Sequence, residues 1–468
     1  MSLTLPWAAA RKSPAAQPAM PSFLDGVFAP VSGEAETTAL RVEGQLPEDL
    51  NGLYARIGPN PLKPNPQRYH WFIGDGMVHG VRLQGGQAAW YRSRYVGSNS
   101  AHKALGRPIL PGPRHGPGDV VNTNVYGHAG RLWASVEAGM LPVQLDDRLD
   151  SVRHGTFNSP RKQPFSAHPH RDPHTGDLHA ICYDAFVRHK VQYVRVSPQG
   201  DVSRVVDIPV QHGPMIHDCA ITRRFVVVLD LPVTFSFKRL LTRSAFPYAW
   251  NDKHRARVGL LPKDGLAADM RWFDVDPCYV FHPCNAFELP DGSVVMDVVA
   301  HRRMFDRSRS GPELDSGARF ERWTLPADGQ RVVREVLHDV AQEFPRLDER
   351  LTGEPYRYAY AVGFQPDQPG GQPLFRHDLN TRQTTRHDFG PHAVPGEFVF
   401  VPRRAQGPED DGWLMGLVHN RQSGCAELHV LNADDFGGAP QAVVHIPARI
   451  PAGFHGNWVP DAGLTAAQ

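Results

Sequence analysis

The chain lacks the features that mark several common protein classes. Its five cysteines, Cys182, Cys219, Cys278, Cys284 and Cys425, are odd in number and nowhere form a CxxC pair. That argues against a disulfide framework and a thiolate zinc site, and it fits a reducing, cytoplasmic setting. Charge of one sign is missing as well: 50 Lys and Arg stand against 49 Asp and Glu. With no basic run of the kind that tracks a phosphate backbone, nucleic acid is not an expected partner. No uninterrupted apolar run approaches the roughly 18 residues of a membrane span. The opening residues carry no charged segment followed by an apolar core, which argues against a signal peptide. Residues 1–22 are expected to be a disordered N-terminal arm and 23–468 a single domain.

Helix is scarce. The best candidate runs from Phe235 to Trp250, an apolar and basic insertion with Lys238, Arg239 and Arg243 among aromatics, stopped by Pro247. Two readings fit it: a lid packed on the domain, or a peripheral contact with the inner membrane surface through 235–250.

Turn residues are abundant instead. Gly and Pro, 43 each, are spread along the whole chain, the punctuation of many short strands. Arg131–Val136, Leu178–Tyr183, Arg224–Leu229, Ser293–Val299, Glu397–Val401, Gly412–Val418 and Ala426–Leu431 are β-rich runs, most of them entered through a Gly or Asp turn. They suggest a supersecondary block every ~40–50 residues, the scale of a propeller blade. The fold class expected is all-β, a β-propeller; a jelly roll or several sandwiches would satisfy the same pattern. Asp75 and Gly76 are expected to form a hairpin turn.

Of the 24 histidines, position must select. His168 (Phe-Ser-Ala-His-Pro), His217 (Pro-Met-Ile-His-Asp), His282 (Tyr-Val-Phe-His-Pro-Cys) and His455 (Gly-Phe-His-Gly) sit in apolar or Pro/Gly-stiffened surroundings. They are 49, 65 and 173 positions apart, too far for a local finger or a helical zinc motif, so only the fold could unite them. In a propeller the first two gaps are near one blade and the third spans two or three. Four neutral imidazoles suit Fe, Cu, Zn or Ni by donor type. The plain alternative is four structural histidines, each hydrogen-bonded in the core.

These histidine contexts occur in order with Gly52-Leu-Tyr-Ala-Arg-Ile-Gly-Pro-Asn-Pro61, Ile73-Gly-Asp-Gly-Met-Val-His-Gly80, Asn122-Thr-Asn-Val125 and His455-Gly-Asn-Trp. Together they resemble the carotenoid cleavage oxygenases over residues 23 to 460. The resemblance implies a seven-bladed propeller with loop and short-helix insertions capping the metal centre. It implies one Fe(2+) per chain held by His168, His217, His282 and His455, with Glu137, Glu343 and Glu397 orienting three of these rings. His170 is the nearest competitor as a ligand, and Glu288 shares a family motif without an orienting role. Thr123 matches a threonine whose methyl group crowds an open position on the metal. The implied reaction is oxidative cleavage of a conjugated C=C bond by O2 to two carbonyl products. Val136 stands where stilbene-cleaving relatives carry lysine, so an apolar carotenoid or apocarotenoid is expected ahead of a phenolic stilbene. No GxSxG or similar nucleophile signature is present. A metal-free binding propeller is the alternative from a different class; a hydrolase on the same fold would need carboxylate ligands that these contexts do not supply.

Overall fold

A computed structural model describes residues 22–114, 119–160, 162–242, 244–314, 316–364 and 372–464. Apart from Ser22, the expected arm lies outside the described residues, as does Arg243. Phe23 is already buried, its ring stacked on Trp71 at 5.2 Å.

Seven antiparallel sheets of four or five strands, with one additional two-stranded ribbon, make up the described chain. The sheets form a seven-bladed β-propeller. Their innermost strands are Asn124–His128, His170–Arg171, Cys219–Ile221, Tyr279–Glu288, Gln342–Arg346, Ala393–Pro402 and Gly456–Pro460. Consecutive ones touch, Arg171 reaching the Gly127 carbonyl at 2.8 Å to join the first two, and Gly456–Pro460 contacts both Ala393–Pro402 and Asn124–His128, which completes the ring.

Position in the blade explains the sequence pattern. Tyr279–Glu288, enclosed on both faces, is buried along nearly its whole length. Its sequence is accordingly a continuous run rather than an alternation. Val333–His338 is the outermost strand of the same blade and carries Arg334 and Glu335, charges that discourage pairing with another chain. The core is divided among the spaces between blades. Leu53, Ile57, Val78, Val125, Leu132 and Val459, drawn from distant parts of the chain, share one such cluster.

The ring is stitched twice. Gly456–Pro460 pairs with Gly52–Pro59, from Gly52 opposite Pro460 to Arg56 opposite Gly456. Arg41–Gly44 adds a fifth strand to the sheet of Ala393–Pro402, with Arg41 opposite His445. Both ends of the domain are thereby held by backbone ladders rather than by side chains alone.

Each expected β-rich run falls on a strand, including Arg131–Ser135, Leu178–Asp184, Val294–His301 and Gly412–Asn420. Two expectations are corrected. The helix of the 235–250 insertion covers only Phe237–Leu241, because Val233–Phe235 pairs antiparallel with Tyr248–Trp250 and leaves a short tip. Asp75 and Gly76 are not a hairpin turn; Gly76 begins the strand Gly76–Gln84, whose hairpin turns at Gly85 and Gly86. A Cβ on Gly76 would lie 1.8 Å from the Val121 carbonyl oxygen, so the glycine permits a close approach of backbones. Asp75 instead ties loops, accepting from the Leu62 N–H at 2.9 Å. No helix among the described residues is long and apolar enough to cross a membrane.

Candidate metal centre

The inner strands deliver one chemically distinctive side chain each. His168 and His217 stand two residues ahead of His170–Arg171 and Cys219–Ile221; His282 lies within Tyr279–Glu288, and His455 immediately precedes Gly456–Pro460. Gln342–Arg346 and Ala393–Pro402 carry Glu343 and Glu397, and Thr123 precedes Asn124–His128. From His282 to His455 the ring advances three blades, which accounts for the long third gap.

The four histidines are buried, and one ring nitrogen from each lies within 4.8 Å of the others. His217 Nδ1 donates to Glu137 Oε1 at 2.8 Å, His282 Nδ1 to Glu343 Oε2 at 2.6 Å, and His455 Nδ1 to Glu397 Oε1 at 3.0 Å. A carboxylate accepts only, so the proton of each neutral ring sits on Nδ1 and its Nε2 presents a lone pair. The Nε2 atoms of His217 and His282 face each other at 3.2 Å. Two lone pairs at that distance repel unless an electrophile lies between them. His168 Nε2, buried with no hydrogen-bond partner among the described residues, completes the set. This donor arrangement fits a borderline divalent metal ion.

Charge is supplied from outside the cluster. Burial alone would raise the Glu397 carboxyl, but Arg346, His455 and the Gly456 N–H outweigh it and hold the group at about 2. Glu343 is likewise held well below the usual carboxylate range: burial opposes this, and His282 and His301 overcome it. Both remain anionic and hold their histidines by charge-assisted hydrogen bonds. Burial, and then the neighbouring rings of His217, His455 and His282, push His168 well below its ordinary value. His168 has no glutamate; its Nδ1 lies 3.9 Å from Asp218 Oδ2. His170 is not in the cluster, since its Nε2 binds Asp218 Oδ1 at 2.7 Å. Glu288 lies elsewhere, accepting from Thr222 Oγ1 at 2.8 Å.

Thr123 and Val136 both face the space in front of the histidines. The Thr123 carbonyl accepts from the His455 N–H at 3.2 Å, and its hydroxyl donates to Asn122 Oδ1 at 3.0 Å. Asn122 in turn donates to the carbonyls of Phe72 and Gly74. With its hydroxyl so engaged, Thr123 has its methyl group left to present. Ala138 and Phe344, each directly after a glutamate, adopt φ of 64° and 54°, left-handed conformations that cost a residue with a Cβ roughly 1–2 kcal/mol.

A cavity of about 920 Å³ opens from His217, His282 and His455. Trp71, Phe72, Phe246, Phe281, Phe344 and Phe454 supply much of its wall. Phe72 packs edge-on against Phe281, Phe246 and Phe454 at 5.5–6.0 Å.

Two supporting groups escaped the sequence reading. His301 Nε2 binds the second oxygen of Glu343 at 2.8 Å while its Nδ1 meets Ser316 Oγ at 2.6 Å. Arg346 reaches Glu397 Oε1 at 3.2 Å and Asn457 Oδ1 at 2.9 Å. His301 ends a strand among many histidines, with nothing local to single it out. Arg346, three residues after Glu343, could have been found by asking what compensates buried glutamates.

The retinal pigment epithelial membrane protein family model matches residues 28–460. The carotenoid cleavage oxygenase of Mycobacterium tuberculosis is 42% identical over 489 aligned positions, which cover 94% of this chain and 97% of that protein. The lignostilbene dioxygenase of Pseudomonas brassicacearum superposes with a TM-score of 0.83 at 27% identity, over 94% of this chain and 98% of that one. Cobalt-substituted Synechocystis apocarotenoid oxygenase gives 0.81 at 25% identity, over 92% and 97%. Similarity over nearly the whole chain, together with a buried four-histidine cluster on a seven-bladed propeller, shows that this protein is an oxygenase and belongs to the carotenoid cleavage oxygenase family.

Proposed function

We propose that the protein is a non-haem Fe(II)-dependent dioxygenase that cleaves a conjugated C=C bond of a carotenoid or apocarotenoid, giving two aldehyde or ketone products. The observation that carries this is the set of ring nitrogens converging, with Nδ1 atoms tied back to carboxylates, beside an aromatic-walled cavity. His168, His217, His282 and His455 would hold one iron per chain. Iron bound there supplies a site at which O2 is activated against an electron-rich alkene.

The remaining work belongs to the protein. Glu137, Glu343 and Glu397 fix ring orientation and tautomer. Phe72, Phe281 and Phe454 line a space that admits a flat polyene and excludes water from the reacting bond. The Thr123 methyl group narrows the approach to the histidines. One oxygen atom of O2 ends on each alkene carbon, so the balance requires no added base, nucleophile or reductant. Val136, half-buried and lining the cavity beside Glu137, offers an apolar contact and supports a polyene.

A second reading, cleavage of a phenolic stilbene, is favoured by Tyr183 and Tyr248, which line the same part of the cavity with rings 5.7 Å apart. Their hydroxyls could engage a phenol. Aerobic incubation with carotenoids, apocarotenals and hydroxystilbenes, followed by product masses, separates the readings. Cleavage of hydroxystilbenes alone would overturn the first.

A peripheral membrane contact is proposed for the 235–250 insertion. Phe237, Leu240 and Leu241 are 59%, 51% and 83% exposed, whereas Ala245, Phe246 and Tyr248 of the same insertion line the cavity. An apolar substrate would then pass from bilayer to cavity along one segment.

A further inference from the structure

Away from the four-histidine centre, a second pair of histidines meets nitrogen to nitrogen. His212, on the loop after the strand Val202–Pro209, and His254, on the loop before Arg257–Pro262, bring their Nδ1 atoms to 3.1 Å. His254 is buried, whereas His212 is exposed and lines a surface hollow of about 610 Å³ with Phe186, His189, Phe235 and Asn251. His212 holds its ring there at a φ of 62°, a left-handed conformation that a residue with a Cβ adopts only at a cost.

Elementary chemistry decides what His254 presents. Its Nε2 meets the buried Asp230 Oδ1 at 2.8 Å, and the Arg257 Nε–H holds the other carboxylate oxygen at 2.8 Å. A carboxylate only accepts, so the neutral His254 ring carries its proton on Nε2 and turns the Nδ1 lone pair towards His212. An acid behind an imidazole whose far nitrogen is free is the arrangement of a metal-ligating histidine with its support. The four-histidine centre supplies a measure within the same molecule. There the His217 and His282 nitrogens are 3.2 Å apart, with ring centres separated by 5.1 Å and planes inclined at 68°. His212 and His254 show 3.1 Å, 5.4 Å and 70°. Two imidazoles on one tetrahedral zinc, each at about 2.0–2.1 Å, would place their nitrogens roughly 3.3 Å apart. The sequence of groups behind the ring also repeats: Arg257, Asp230 and His254 here, Arg346, Glu397 and His455 there. Arg188, which lines the same hollow, stacks its guanidinium over Phe235 and Phe237, 4.9 and 4.4 Å from the ring centres.

We propose that His212 and His254 form a second metal site, open to solvent, which takes one borderline divalent cation of the Zn(2+) kind with water completing its coordination. Two protein donors make it weaker and more readily exchanged than the four-histidine centre. Its place gives it a consequence. The Phe235 N–H donates to the Gly213 carbonyl at 2.9 Å, and the Asn251 N–H to the Pro232 carbonyl at 2.8 Å. An ion shared by His212 and His254 therefore fastens the loop at 212 to the chain leaving the 235–250 insertion, whose Phe246 and Tyr248 line the large cavity. The inference does not depend on which alkene the protein cleaves.

The test is equilibrium dialysis of the full-length, iron-loaded protein against micromolar zinc, with both metals read by elemental analysis. Wild type should take up about one zinc per chain beyond its iron. His212→Asn, at an exposed position and with a residue that tolerates left-handed backbone, should take up close to none while iron content and cleavage stay unchanged. Asp230→Asn, which removes the charge behind His254, should weaken zinc binding roughly 10–100-fold. The difference between wild type and His212→Asn is read whatever metal the four histidines hold. No zinc beyond the iron, zinc found only in place of iron, or equal uptake by wild type and His212→Asn would overturn the site and leave a hydrogen bond only.

Discussion

At the scale of single residues, His217 connects the two layers of the centre, with Nδ1 on Glu137 and Nε2 facing His282 across 3.2 Å. Substituting His217→Ala removes one donor and leaves the Glu137 carboxylate buried without its partner. Purified wild-type protein should carry about one iron per chain, and this variant close to none, with alkene cleavage lost in parallel; elemental analysis beside product assay checks both. Glu343→Gln keeps the shape but weakens the hold on His282 and His301. Loss of such a supporting carboxylate should reduce metal affinity by roughly 10–100-fold, measured by competition with a chelator. The four histidines were legible because Pro, Gly and aromatic neighbours set each apart from the other twenty. The glutamates were legible only through resemblance, as an acid at a strand end ordinarily faces water. His301 was not legible, because its role depends on a cross-blade contact that no local pattern records.

At the scale of elements, strands read well and special turns did not. Runs such as Leu178–Asp184 and Gly412–Asn420 announce themselves by β-branched and aromatic content. The 235–250 insertion misled because its apolar residues serve three purposes at once: strand pairing, cavity lining and an exposed tip. Replacing Phe237, Leu240 and Leu241 by serine removes the exposed apolar tip, whereas the buried Phe246 and Tyr248 are untouched. Liposome cosedimentation should fall several-fold; an unchanged bound fraction would refute the membrane contact. Gly76 also looked like an ordinary turn former, and its meaning lies in the backbone opposite. Gly76→Ala would force the Val121 carbonyl away and drag Asn122 and Thr123 with it. A loss of about 1–3 kcal/mol is expected, read as a lower denaturation midpoint together with altered cleavage.

At the scale of the whole molecule, blades are locked to one another by buried polar contacts as well as by apolar packing. Lys263 Nζ and Asp172 Oδ2, from neighbouring blades, meet at 2.6 Å with both residues buried. Burial raises the Asp172 carboxyl, but Lys263 and the N–H groups of His174 and Thr175 more than offset this and hold it below its ordinary value. A carboxyl lowered in the folded state stabilises it fully above the unfolded pKa, about 4. That contribution fades as pH drops through the lower folded value. Lys263→Met should therefore cost about 3–5 kcal/mol at neutral pH, and the gap from wild type should narrow in acid. Urea midpoints at pH 7 and pH 3 measure it. Ring closure gives a second expectation: truncation before Gly453 removes His455 and the strand that pairs with Gly52–Pro59, and should abolish metal binding. Trimming after Pro460 forfeits the ion pair of Arg82 with the partly exposed Asp461, the bond from the Asp461 N–H to the Asn51 carbonyl and the packing of Leu464, none of which touches the four histidines, and should leave metal binding intact.

That closure also has a direction in time. A ribosome adds roughly 5–20 residues per second. The 173 positions from His282 to His455 therefore separate the third histidine from the fourth by about 9–35 s of synthesis. Throughout that interval the nascent chain presents three imidazoles and no finished centre. The strand that must come last also needs Gly52–Pro59, one of the first made, to have stayed unpaired on that edge. Completion of the four-histidine centre is accordingly expected only after the whole domain has been translated.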